Sequence, residues 1–312
     1  MSKQPLDIVA IGECLVEFLE LEDGRYAQSY AGDTLNTLFY ASRLGLKTGY
    51  VTAIGQDPYT EGIELLLDTE KIDRTICASD DGINGTYFVL GHTGTKRYHF
   101  LRKHSAATRM LEHIDIPKLK AYLLKAKVLH LSLTSIGIQS ERDRLIDVLS
   151  RIASEVKICL DSNYRASVWA DREDAQEWYQ QALPYVSMLF VTDTDHEAIY
   201  GKESFVHAIK RYQSYGINRL AYRMGDKGSI LFDGRAQTVK AVEGLNIVDT
   251  TGAGDAYNAG FIHAMLQGRS FYDCGIFATA CAATAIEESG GMAKSFNILK
   301  VMEKMAETNK SE

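Results

Sequence analysis

The sequence predicts an α/β fold of three layers, a mostly parallel central sheet with helices on both faces, accompanied by a small second β-sheet. Three observations predict it. Short apolar, β-rich runs recur along the chain. Helical patterns lie between several of them, with apolar residues at three- and four-residue intervals. Two regions interrupt that rhythm with hairpin character.

The strands come first. Residues 7–11 (DIVAI) read as the first buried strand, and similar runs follow at 48–54, 126–133, 156–160, 188–191 and 219–222. Strands buried on both faces show such continuous apolar runs, which is the mark of a parallel sheet. Helical periodicity covers 36–44, 140–152, 172–183 and 205–215. The last third is strongly helical, at 255–266, 272–286 and 298–306. The interrupting regions are 17–30, with a turn at 22–24, and 85–101, where TYFVL and RYHFL are joined by GHTGTK. Both read as hairpins that together form a small separate sheet, suited to lie over one edge of the larger one. No internal repeat and no second core of domain size is evident. We expect one domain over 1–312, with the β lid drawn from about 14–31 and 84–103.

Bulk properties narrow the functional class. The chain has 312 residues, of which 46% are hydrophobic and 24% charged, the composition of a globular enzyme with a large core. A formal net charge of −7 argues against nucleic acid as a partner. The five cysteines are odd in number and scattered without CxxC spacing, as expected for reduced core residues in a cytoplasmic protein. No apolar run approaches the roughly 20 residues of a membrane span, and no signal-peptide pattern opens the chain. There is no GxxxxGK[ST], no GxGxxG after the first strand, no HExxH and no GxSxG, so P-loop, dinucleotide, zincin and serine-hydrolase chemistries are not indicated.

The segment richest in chemistry is 249–261, DTTGAGDAYNAGF. A β-rich stretch at 245–248 precedes it and a helical pattern follows. Gly252, Ala253 and Gly254 allow a tight turn and leave their amides uncovered at a helix N-terminus, where the dipole favours an anion. Asp255 opens the helix beside that position. A carboxylate there can take the proton from a hydroxyl that attacks a phosphoryl group. A glycine-rich turn before Asp is also an ordinary helix start, and for the bare pattern that is the commoner reading.

The same string closely resembles the C-terminal signature of the ribokinase-like (PfkB) carbohydrate kinases. Residues 31–36 (AGDTLN), 41–45 (ASRLG) and 52–57 (TAIGQD) resemble the first signature of that family. The form GDTLN, the opening IGECLVEF, the stretch KRYHFLRKHSAA at 96–107 and DSNYRASVW at 161–169 look like its 2-keto-3-deoxygluconate kinase branch. The resemblance runs from about residue 7 to 291. It implies a ribokinase-like three-layer sandwich and transfer of phosphate from ATP, with Mg2+, to the 6-hydroxyl of a sugar acid. Other substrates of the family remain alternatives: fructose, ribose, a dehydro-deoxygluconate isomer, or a nucleoside. So does a silent, ligand-binding member.

Residue by residue, the resemblance implies catalysis by Asp255 with the Gly252–Ala253–Gly254 anion hole. It puts Gly32, Asp33 and Asn36 against sugar hydroxyls, and Tyr87, Phe100, Arg102 and Arg165 at substrate positions. Arginine suits a carboxylate because its planar fork binds two oxygens. Phe100 stands where the branch usually has Tyr. RMGDKG at 223–228 resembles the turn along the ATP phosphates, which assigns Arg223 (in place of Lys), Gly225, Lys227 and Gly228 to the nucleotide, with Asn163 and Thr250. Cys281 is expected at the adenine wall. The family N-x-x-E motif appears as TDTD at 192–195, so Asp195 keeps a carboxylate for a water-mediated Mg2+ contact and Thr192 is a weak candidate. Lid-to-lid pairing into a homo-oligomer is a further expectation from the resemblance.

Overall fold

The computed structural model describes residues 6–91 and 97–308. Its strands are β1 (Leu6–Ile11), β2 (Leu15–Glu20), β3 (Tyr26–Ala31), β4 (Thr48–Val51), β5 (Ala53–Ile54), β6 (Ala78–Ser79), β7 (Gly85–Leu90), β8 (Arg97–Leu101), β9 (Ala126–Ser132), β10 (Lys157–Asp161), β11 (Met188–Thr192), β12 (Leu220–Arg223), β13 (Ser229–Phe232) and β14 (Ala236–Val239).

An eight-stranded sheet runs in the order β14-β13-β12-β11-β10-β9-β1-β4. Pairings from β4 through β12 are parallel, and β13 and β14 add antiparallel at one edge. Side chains alternate across it. Leu129, Ile158, Leu160, Leu189 and Leu220 enter the core on one face, packed by helices Arg142–Ile152, Arg172–Ala182 and Phe205–Ser214. Val128, Cys159, Met188, Phe190 and Ala221 enter the core on the other, against helices Asp33–Arg43, Ala253–Leu266 and Phe271–Ala285. The period of two therefore sends Asp161 and Arg223, at the carboxyl ends of β10 and β12, to that second face. There the apolar pattern gives way to charge.

The two hairpins form a four-stranded sheet in the order β3-β2-β7-β8. β2 pairs antiparallel with β3 and parallel with β7, and β7 pairs antiparallel with β8. The GHTGTK connection lies mostly outside the described residues.

Two local expectations need correction. The run 48–54 is not one strand. It divides at buried Thr52, after which β5 leaves the large sheet to pair with β6. Residues 245–248 are not extended in a sheet. The amides of Val248 and Asp249 both reach the Ile286 carbonyl at the end of helix Phe271–Ala285, while Ile247 and Val248 stay exposed. The strands before the glycine-rich turn are instead β13 and β14. Among the described residues no helix is long and apolar enough to cross a membrane.

Candidate active site

A cavity of about 620 Å³ opens between the carboxyl ends of the large sheet's strands and the inner face of the four-stranded sheet. Ligands of open α/β sheets bind at that end of the strands.

The floor is built by two helix starts. Helix Asp33–Arg43 begins after Gly32, whose missing Cβ would lie 2.1 Å from the Glu13 carbonyl oxygen, so only glycine fits. Helix Ala253–Leu266 begins after Gly252, which is left-handed at φ 79° and packs against Gly291, whose oxygen is 2.2 Å from where a Cβ would sit. The two starts meet: Asn36 Nδ2 donates to Asp255 Oδ2 at 2.8 Å. Asn36 Oδ1 accepts from the Gly32 amide at 3.3 Å, which fixes the amide's orientation. Burial, reinforced by the like charge of Asp33, pushes the Asp255 carboxyl well above the usual carboxylate range, against the hydrogen bond from Asn36. Asp33 is held in turn by Asn163, whose Nδ2 donates to Asp33 Oδ2 at 2.7 Å.

Behind the floor lies a buried ion pair. Arg223 Nη2 donates to Asp161 Oδ1 at 2.5 Å. Its Nη1 reaches the Gly254 carbonyl at 3.2 Å and Asn258 Oδ1 at 3.1 Å. Asn258 Nδ2 closes the ring on Asp161 Oδ2 at 2.7 Å. One guanidinium thus ties β10 and β12 to the first turns of the helix that carries Asp255. The expectation that Arg223 serves the nucleotide phosphates needs qualification: it lines the cavity, yet three of its hydrogen bonds go to protein.

Beside the pair, Asp195 lines the cavity at the start of helix Asp193–Tyr200, capped by Thr192. Asp195 Oδ2 accepts from Ser162 Oγ at 2.7 Å, and burial raises its pKa. No group of three or more metal-ligating side chains occurs among the described residues. Asp195 brings one carboxylate to the cavity, and Mg2+ typically takes one or two, with waters and phosphate oxygens for the rest.

The roof is the inner face of the four-stranded sheet. Tyr87 and Phe100 stack with centroids 5.2 Å apart, and both line the cavity. The Tyr87 hydroxyl is committed to Glu17 Oε2, so the cavity sees mainly its ring. Arg102 stacks over Phe100 at 4.7 Å and pairs loosely with buried Glu13, Nη1 to Oε2 at 3.4 Å. Its Nη2 is buried without a hydrogen-bond partner. Arg165 lines the cavity from an exposed position and has no carboxylate partner among the described residues.

Not every expected residue comes here. Thr250, Gly252 and Gly254 line the cavity; Ala253 does not. Gly225, Lys227 and Gly228 form a tight turn after β12, with Lys227 in solvent rather than on the cavity wall. Cys281 is fully buried, its Sγ 2.6 Å from where a Cβ on Gly260 would lie. Close packing of helices Ala253–Leu266 and Phe271–Ala285 puts it in the core and not at a nucleotide wall. Conversely, Glu13, Tyr98 and Asp161 line the cavity without having been singled out. Tyr98 was legible from strand alternation with Phe100, since residues two apart share a face.

Comparison with known proteins agrees with this geometry. The profile of the pfkB family carbohydrate kinases matches residues 5–297. The 2-dehydro-3-deoxygluconokinase of Haemophilus influenzae is 32% identical, covering 91% of this chain and 95% of its own. The structure of a 2-dehydro-3-deoxygluconokinase from Thermotoga maritima superposes with a TM-score of 0.84 at 20% identity, over 97% of this chain and 98% of that one. An Escherichia coli structure in complex with ATP and Mg2+ superposes at 0.83 and 18% identity, over 96% and 99%. Family profile, relative and fold converge on one assignment: the chain belongs to the pfkB family of carbohydrate kinases and is an ATP-dependent sugar kinase.

Proposed function

We propose that the protein phosphorylates 2-keto-3-deoxygluconate (2-dehydro-3-deoxygluconate) on its 6-hydroxyl with ATP. The observation that carries the reading is the pairing, in one cavity, of a base at a helix N-terminus with two arginines on the opposite walls. Asp255 faces the cavity beside the Gly252–Gly254 amides, and Arg102 and Arg165 supply positive charge for a carboxylate. The family relatives with this printed activity support the sugar acid over a neutral sugar.

In this reading Asp255 takes the proton of the attacking hydroxyl. Its raised pKa brings it closer to that task than a solvated carboxylate would be. The amides of Gly252–Gly254 hold charge on the transferring group. Gly32, Asp33 and Asn36 orient sugar hydroxyls, and Asn163 holds Asp33 in place. The four-stranded sheet acts as the lid that excludes water. Asp195 would help hold Mg2+, which would supply charge neutralisation to the phosphates. The five free cysteines fit action in the cytoplasm. The lid's open edges, β3 and β8, are where a second copy would pair.

The test is ADP release from MgATP with 2-keto-3-deoxygluconate, beside gluconate, fructose, ribose and adenosine. Turnover on the keto-deoxy acid alone, lost in Asp255→Asn, is expected. Preference for a neutral sugar would keep the kinase and discard the sugar acid.

A further inference from the structure

We propose that Tyr98 is a specificity-determining residue, its phenolic hydroxyl making the aromatic hydrogen bond to the sugar that Phe100 cannot make. The proposal rests on the sugar-kinase reading of the cavity given above.

Tyr98, Phe100 and Arg102 alternate along one face at β8, and all three line the cavity. Pairing fixes which face this is. Phe100 lies opposite Tyr87, and Tyr98 opposite Val89. Tyr87 and Val89 are buried in the small core of the four-stranded sheet, with Phe100 packed against it. The sheet thus offers three aromatic rings to the cavity: Tyr87, Tyr98 and Phe100.

Their polar capacity differs. Phe100 has none. The Tyr87 hydroxyl donates to Glu17, whose other oxygen accepts from Ser29 Oγ at 2.7 Å, so that group is already satisfied in a closed chain. The Tyr98 hydroxyl has no hydrogen-bond partner among the described residues. The ring is 47% exposed, so its hydroxyl stays hydrated when the cavity is empty and can exchange water for a sugar oxygen on binding. Relative to a hydroxyl at position 100, the donor is displaced by one same-face step, roughly 6.6 Å along the strand. The guanidinium and the phenol are then four positions apart rather than two, which sets a different spacing of polar groups for the substrate to match.

The experiment compares wild type with Tyr98→Phe in steady-state kinetics, on whichever sugar of the panel the wild type turns over. The expected result is a sugar KM raised about fivefold, with the KM for ATP, kcat and Tm unchanged. Fivefold corresponds to about 1 kcal/mol, a typical net hydrogen bond. A sugar KM equal to wild type, or a parallel rise in the KM for ATP, overturns the proposal. Failure of the sugar-acid reading is separately visible as wild-type preference for a neutral sugar. The Tyr98→Phe comparison on that sugar still decides the role of Tyr98.

Discussion

The floor and the roof of the cavity are both polar, but they hold their polar groups in opposite ways. On the floor most groups are committed to one another: Asn36 to Asp255, Asn163 to Asp33, and Arg223 through both Nη atoms to Asp161, Gly254 and Asn258, its Nε alone lacking a partner among the described residues. On the roof and its flank, the Tyr87 hydroxyl on Glu17 apart, they are loosely held or open. Among the described residues Arg102 meets Glu13 at 3.4 Å and leaves Nη2 without a partner, Arg165 has no carboxylate, and Tyr98 has an open hydroxyl. A preorganised floor suits chemistry, where geometry must already be set when charge develops. An open roof suits recognition, where substrate oxygens complete the unsatisfied bonds. The difference predicts that substitutions of Asp255 and of the Arg223–Asp161 pair act on turnover or stability, and those of Arg102, Arg165 and Tyr98 on affinity.

The largest effect should come from the floor's centre. Asp255→Asn keeps the shape and the hydrogen bond from Asn36 but removes the base, and kcat should fall by about 10²–10⁴-fold in an ADP-release assay. Next is the ion pair behind it. Arg223→Met leaves Asp161 charged and buried, a change that typically costs about 3–5 kcal/mol, read as a shift in the urea midpoint. Arg223→Lys, which keeps the charge, should recover part of this. On the roof's flank, Arg165→Gln should raise the KM for a sugar acid about tenfold, roughly 1.4 kcal/mol, and leave Tm and the KM for ATP unchanged. A fall in kcat there instead would erase the distinction between floor and roof.

The smallest effect concerns pH. Asp255 has a folded pKa raised above its unfolded value, so the protonated form is favoured in the fold. Its contribution to stability is present below the ordinary carboxylate pKa and is lost as pH rises through the raised folded value. Above that raised value the ionised group weakens the fold. Asp255→Asn, which cannot ionise, should keep its urea midpoint as pH rises where the wild type loses stability, with the difference vanishing in acid. Activity runs the other way: the acid limb of kcat/KM should lie above the usual carboxylate range, since the base must be ionised.

Much of this was legible in the sequence because it rests on short-range signals. Apolar runs set the parallel strands, and the string around Gly252–Gly254 placed a helix start beside Asp255. What escaped depends on partners far along the chain. Nothing local to RMGDKG says that Arg223 turns inward to Asp161, because a strand's alternation gives a face but not the residue that covers it. Cys281 was misplaced for the same reason: its neighbour is Gly260 on another helix, and only close helix packing decides that it faces the core. The exposed Ile247 and Val248 show the converse, β-rich residues whose amides were claimed by a helix end instead of a strand.

The contact between the two helix starts also has a consequence in time. Tyr40 donates to the Gly291 carbonyl across 251 residues at 2.8 Å and accepts from the Ala293 amide, while Gly291 packs against both Gly252 and Asn36. During synthesis the first half of this site must wait for Gly291 and Ala293. At about 5–20 residues per second that is roughly 13–50 s. Throughout that interval the nascent polypeptide carries Gly32, Asp33 and Asn36 on the ribosome but no assembled floor, so it cannot consume ATP until Gly291 has joined them.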